Sequence, residues 1–384
     1  MRLRRFSIFD ENLPEEPLAR YFDNEKNKEI FNRVADKCYI PTNALLLELI
    51  DRYGSRFKLS FSLTGTFLEQ AALYRPDVLE SFRALSETGC VDFLNETYYH
   101  SLSSLFQDKT EFLEQVRMHS AELKRLFGIE ADVFRNTEAL FSNEIAKFVE
   151  DLGYLGIIGE GHERVLGWRS PNYVYSVKGC RRIKALLRNY RLSDDISYRF
   201  SATWWSEYPL TADKYARWLS ATPGRCINIF MDYETFGEHQ WKETGIFEFL
   251  RHLPGEVLRY EHLEFRTPNE VIREQEPVGE IDVPYLLSWA DIERDASAWL
   301  GNQMQRACFN YLQRLEKEVR EAGDAELLHV WRLLQNSDHL YYLCTKSWAD
   351  GDVHKYFSPF PTPYDAFINY MNILHDFKHR LERL

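Results

Sequence analysis

Up to about residue 285 the chain alternates short β-rich runs with amphipathic helical stretches, and this alternation limits the possible folds more than any other feature. Phe57 to Gly65 (FKLSFSLTG) reads as a strand, followed by helical segments broken near Pro76. Val91 to Tyr99 (VDFLNETYY) reads as a second strand, with a helix over 110–127 after it. Asp132 to Glu138 (DVFRNTE) reads as a third, followed by the helix of SNEIAKFVEDLG. Tyr154 to Gly159 reads as a fourth strand, Leu186 to Tyr190 as a fifth and Cys226 to Asp232 (CINIFMD) as a sixth. Strands separated by helices imply a parallel sheet covered by helices, either closed as a barrel or doubly wound. Beyond residue 285 the pattern turns wholly helical. Trp299, Met304, Cys308, Tyr311, Leu312, Leu315 and Val319 recur near helical spacing, and further helical stretches cover 325–346 and 363–384. The expected division is an α/β unit over 1–284 and a helical unit over 285–384.

In parallel α/β folds the reactive groups lie at the C-terminal ends of strands. Three ends gather ionisable residues. VDFLNETYYH carries Asp92, Glu96 and His100, FRNTEALF carries Glu138, and INIFMDYETFGEHQW carries Asp232 with Glu234, Glu238, His239 and Trp241. Taken singly, each carboxylate reads equally well as a helix cap or a solvated loop charge. Two carboxylates at successive strand ends, both among aromatics and histidines, are what glycosidic bond cleavage needs. One attacks the anomeric carbon or activates water, and the other protonates the departing oxygen. Their surroundings must hold the two pKa values apart.

These motifs resemble glycoside hydrolase family 57, especially its α-amylase-like branch. The resemblance rests on FSLTGTFLEQ, VDFLNETYYHSL, FRNTEALFSNEIAKFVEDLGYLGIIGEG, LGWRSPNYVY, MDYETFGEHQW and SWADIERDASAWLGN, in that order. It implies an α/β fold built as an incomplete (β/α)7 barrel, with a C-terminal helical bundle helping to shape the cleft. It implies a retaining mechanism on α-glucans such as starch, glycogen or maltooligosaccharides, with Glu138 as nucleophile and Asp232 as general acid/base. His100 is placed beside the donor sugar, and Asp92 stands where many relatives carry a glutamate. Trp168, His239, Trp241, Asp291, Trp299 and Asp338 are candidate cleft residues by the same resemblance, with His339 beside them, and core or supporting roles are equally open for each. Relatives begin with a strand ending in His-Gln-Pro ahead of a stretch like RLRRFSIFD, and this chain starts at Met1 in that stretch. The first barrel strand is therefore expected to be missing, through a start set too far downstream or through a real truncation.

Composition narrows the partners. Aromatic residues make up 15% of the chain, which suits stacking on sugar faces and equally suits an aromatic core. A net charge of −12 opposes a nucleic-acid partner but would not repel a neutral glucan. The six cysteines are scattered without a CxxC pair, as in a reduced, cytoplasmic protein. No apolar run reaches membrane-spanning length, the opening residues lack a signal-peptide core, and no cofactor or metal motif such as HExxH is present. Besides hydrolysis, two readings stay open: a 4-α-glucanotransferase or branching-type transglycosylase, and a catalytically impaired carbohydrate-binding homologue. A metal-dependent deacetylase on a similar barrel ranks below them.

Overall fold

The structure is a computed structural model describing residues 1–10, 12–346 and 358–383. Of the expected helical unit over 285–384, residues 347–357 and 384 lie outside the described residues. The described strands are β1 (Leu59–Phe61), β2 (Val91–Phe93), β3 (Val133–Arg135), β4 (Gly156–Glu160), β5 (Tyr175–Val177), β6 (Lys184–Arg188) and β7 (Glu280–Ile281). β1 pairs with β2 in parallel, and a parallel bridge from Asn95 to Phe134 carries the array on to β3. β3, β4 and β6 follow in parallel, and a bridge from Arg188 to Asn228 adds the segment 226–232. β5 lies antiparallel to β6, and β7 pairs with β5.

The expected sixth strand is thus extended chain with a single bridge. At that bridge Asn189 N–H donates to the Asn228 carbonyl and the Asn228 amide side chain donates to the Leu187 carbonyl. β5 and β7 were not anticipated. Both are too short to show a period in the sequence.

β3 and β4 are buried on both faces, so β4 reads as a continuous buried run rather than an alternating one. Ile157, Ala185 and Leu187 pack against helix residues Phe112, Val116, Ile145 and Val149. On the opposite face Val133, Ile158 and Leu186 meet Val271 and Ile272 of the helix Pro268–Glu274.

The C-terminal helices Gln303–Ala322, Ala325–Leu334, Ser337–Tyr341 and Pro363–Leu381 share one core. That core also takes in Tyr98 and Tyr99, from the loop after β2, so helical region and strand-end loop are packed as one. A charged lock reinforces the contact. Fully buried Glu111, on the helix Thr110–Phe127, accepts from Arg332 Nε at 2.9 Å and from Arg320 Nη2 at 2.7 Å. Arg332→Met would leave Glu111 its bond from Arg320 but strip a charge-assisted bond from a buried carboxylate, so it should cost about 2 kcal/mol, read as a lower midpoint in a denaturant melt.

Candidate active site

Glu138 follows the fully buried strand β3, where Asn136 and Thr137 turn the chain. The Asn136 amide donates to the Leu140 carbonyl at 3.0 Å and to the Ser104 hydroxyl at 2.9 Å, and Thr137 shares a hydrogen bond with Thr97. Within this turn Glu138 and Ala139 take φ of 56° and 50°. Left-handed backbone at a non-glycine residue costs roughly 1–2 kcal/mol, so the surrounding bonds hold the carboxylate where an unconstrained chain would not.

Three donors from three parts of the chain converge on that carboxylate. His100 Nε2 lies 3.0 Å from Oε1, the Ser337 hydroxyl donates to Oε1 at 3.1 Å, and the Trp289 indole donates to Oε2 at 2.9 Å. His100 itself has φ 52° and ends the loop after β2, while Ser337 N–H donates to the His100 carbonyl at 2.9 Å. The guanidinium of Arg135 lies over the Trp289 ring at 4.8 Å. Burial alone would raise the Glu138 pKa. The bond and charge of His100, the charge of Arg135 and the Trp289 bond together bring it down to about 2. The carboxylate is thus ionised throughout the working range.

Asp232 reaches the same cavity from the segment 226–232, which bridges to β6. Arg188 Nε donates to the Phe230 carbonyl at 2.6 Å and Phe230 N–H donates to the Ser193 hydroxyl at 3.2 Å, fixing the segment that presents it. Beyond Asp232, Tyr233 packs at ring distance 6.3 Å on Tyr39, and the Tyr39 hydroxyl donates to Glu234 at 2.5 Å. Gly237 sits at φ 116° with its α-carbon against the Lys37 carbonyl, where a Cβ would approach to 2.0 Å. Only glycine fits there. The Asp232 side chain is exposed to the cavity, and its carboxyl is pushed up by desolvation between the cleft walls, then by the charges of Glu234 and Glu138, with His239 and Arg135 opposing. One carboxylate held ionised and another held toward its acid form, on one cavity, is the division of labour acid/base chemistry requires.

The cavity has a volume of about 1890 Å³. Of the residues singled out in the sequence, His100, His239, Asp291, Trp299 and Asp338 line it with Glu138 and Asp232. Asp291 is tied to Lys346 at 2.8 Å, and Trp299 is buried against Tyr341. Four others are placed elsewhere. Asp92 lies within β2, where it binds the Asn269 amide of the helix Pro268–Glu274, because it sits too early in the strand to reach the loop end. Trp168 is 95% exposed on the loop after β4, and Trp241 is half-exposed over Lys37 at 5.9 Å; neither lines the cavity. His339 is buried in the helical core between Phe22 and Tyr370. Sequence reasoning missed Trp289 and Ser337. Trp289 lies in the quoted SWADIERDASAWLGN stretch two residues before Asp291, Ser337 directly precedes Asp338, and no spacing links either to Glu138.

A family model described as glycosyl hydrolase family 57 matches residues 1–284. A curated relative from Methanocaldococcus jannaschii, named "Putative alpha-amylase", is 54% identical over 376 residues, covering 95% of this chain and 79% of that protein. Among solved structures, a 4-alpha-glucanotransferase from Thermococcus litoralis superposes with a TM-score of 0.68 at 16% identity, over 90% of this chain and 56% of that one. The chain thus spans little more than half of that structure. A GH57 branching enzyme from Thermococcus kodakaraensis gives a TM-score of 0.70 at 14% identity, over 92% and 86% of the two chains. At such identities these two likenesses establish a shared fold.

Proposed function

Since the chain belongs to glycosyl hydrolase family 57, we propose that it is a retaining α-glucan hydrolase of the α-amylase type, with Glu138 as nucleophile and Asp232 as general acid/base. The observation that carries this reading is the contrast between the two carboxyls on one cavity: Glu138 ionised by three donors, Asp232 pushed toward its protonated form. Glu138 attacks the anomeric carbon while the Asp232 proton passes to the glycosidic oxygen, leaving a glycosyl ester on Glu138. Asp232, now a carboxylate, takes the proton of the acceptor as the acceptor oxygen displaces Glu138. Water as acceptor makes the enzyme a hydrolase, and a glucan hydroxyl makes it a transglycosylase.

The parallel array reads as an incomplete (β/α) barrel with an open side between β1 and the segment 226–232. Both of these line the one cavity, and the buried Ser60 hydroxyl of β1 has no hydrogen-bond partner. The region beyond residue 284 completes the cleft, since it supplies Trp289 and Ser337 to Glu138. No helix among the described residues is long and apolar enough to cross a membrane.

The test is incubation with maltoheptaose, following products by chromatography and the configuration of the new reducing end by NMR. Release of α-anomeric maltooligosaccharides is expected. Chains longer than the substrate would assign the enzyme to transfer, and binding without turnover would assign it to the non-catalytic class. Activity should also follow the two pKa shifts. Glu138 must be ionised, so no acidic limb from it should appear until about pH 2. Asp232 must be protonated for the first step, so kcat/KM should fall as pH rises through its elevated pKa.

A further inference from the structure

Glu96 is a fully buried carboxylate that the mechanism above does not use. It lies four residues before His100 in the loop after β2, and its two oxygens are treated differently. Oε1 accepts from the Ser62 hydroxyl at 2.6 Å. Oε2 has no hydrogen-bond partner and stands 3.7 Å from His100 Nδ1, which is likewise buried and unpartnered. Two orphaned buried polar atoms facing each other are unusual, because each forfeits its hydration without a full bond in return. The other ring nitrogen of His100 is on Glu138, so the imidazole bridges two carboxylates.

Resting on the reading of Glu138 as nucleophile, we propose that Glu96 is a positioning residue that holds His100 as an imidazolium against Glu138 and thereby speeds breakdown of the glycosyl-enzyme. The titratable and charged groups around His100 are Glu96, Glu138 and Arg135, with His119 behind Glu96 and Asp232, Asp338 and Tyr341 on the shared cavity. His119 brings no charge, since burial keeps its pKa below the ordinary value. Burial opposes the charge on His100 as well, but the carboxylates on either side outweigh it and raise its pKa to about 10. Against its burial, Glu96 is kept ionised first by His100 and then by Arg135, 3.8 Å from its Oε2.

The kinetic consequence follows from where charge moves. Glu138 loses its negative charge when its oxygen bonds to the anomeric carbon. It regains that charge when the ester bond breaks, its electron pair returns to the carboxylate, and water adds to the sugar with its proton going to Asp232. A fixed cation beside Glu138 therefore favours the second step and not the first.

The test has one arm without substrate and one with it. In the resting enzyme, side-chain NMR should show His100 doubly protonated to above pH 8, and Glu96→Gln should lower its midpoint by about three units, into the neutral range where the ring is partly uncharged during turnover. With an activated aryl α-glucoside, Glu96→Gln should lower kcat and KM together by about tenfold while kcat/KM stays near the native value. Glu96→Asp should recover part of the loss. In a His100→Asn background, where the left-handed backbone suits asparagine, Glu96→Gln should add nothing further. A native His100 that is neutral at pH 7 overturns the proposal, and that measurement requires no variant to fold. So does a His100 midpoint unmoved by Glu96→Gln, or a fall in kcat/KM equal to that in kcat. The NMR arm is independent of which residue is the nucleophile. An error in the assignment of Glu138 would instead appear as turnover surviving Glu138→Gln.

Discussion

Glu138→Gln will reduce turnover of maltooligosaccharides by about ten-thousand-fold or more while the protein remains folded. The side chain is replaced by one of nearly equal volume, and the three groups that fix it belong to elements that are independently packed. His100 ends the loop whose Tyr98 and Tyr99 sit in the helical core, Trp289 packs on Phe230, and Ser337 starts a helix capped by Asn336. The amide cannot form a stable glycosyl ester, and its NH2 group would face donors where the carboxylate accepted. The loss should therefore fall on kcat, with binding of a long glucan changed little. In the native enzyme a fluorinated glucosyl fluoride, which slows ester breakdown, should leave a mass adduct on the peptide containing Glu138. Near-normal hydrolysis by the variant would remove Glu138 from the nucleophile's role.

How far such a site can be read from sequence depends on the range of the interactions that build it. The helix over 110–127 matches the described Thr110–Phe127 because a long amphipathic period is a local property. The ends of β3 and of the segment 226–232 were visible because an apolar run stops at a carboxylate, again locally. Asp92 was misplaced because a strand end is a matter of register: only three residues of that run pair as β2, and the loop begins soon after, so the residues that reach the cavity are Glu96 and His100. Trp289 and Ser337 touch Glu138 across 151 and 199 residues of chain. No periodicity encodes contacts of that span. The exposed positions of Trp168 and Trp241 show the same limit, since an aromatic in a strand-end loop reads alike whether it faces the cleft or the solvent.

Asp232→Asn should split substrates by the acidity of their leaving groups. A natural glucan departs as an alkoxide unless it is protonated, and a positioned general acid contributes about a hundred- to ten-thousand-fold. Cleavage of maltoheptaose should fall by roughly that range. An aryl α-glucoside with an acidic phenol leaves without a proton, so its kcat/KM should stay within about tenfold of the native value. Its kcat should still drop, because ester breakdown then lacks the base that takes the proton of water. Azide needs no such base. Added azide should restore turnover and yield the α-glucosyl azide, and the alkaline fall in kcat/KM assigned to Asp232 should disappear. The structure gives a reason to expect so clean a division. Asp232, exposed to the cavity, owes its raised pKa to desolvation between the cleft walls and to Glu234 and Glu138, so replacing it with a neutral amide removes a reluctant charge, not a structural anchor. Equal losses on both substrates would move the general acid elsewhere, with Glu234 and His239 next to be examined. A β-configured azide product would replace retention by inversion and, with it, the role given to Glu138.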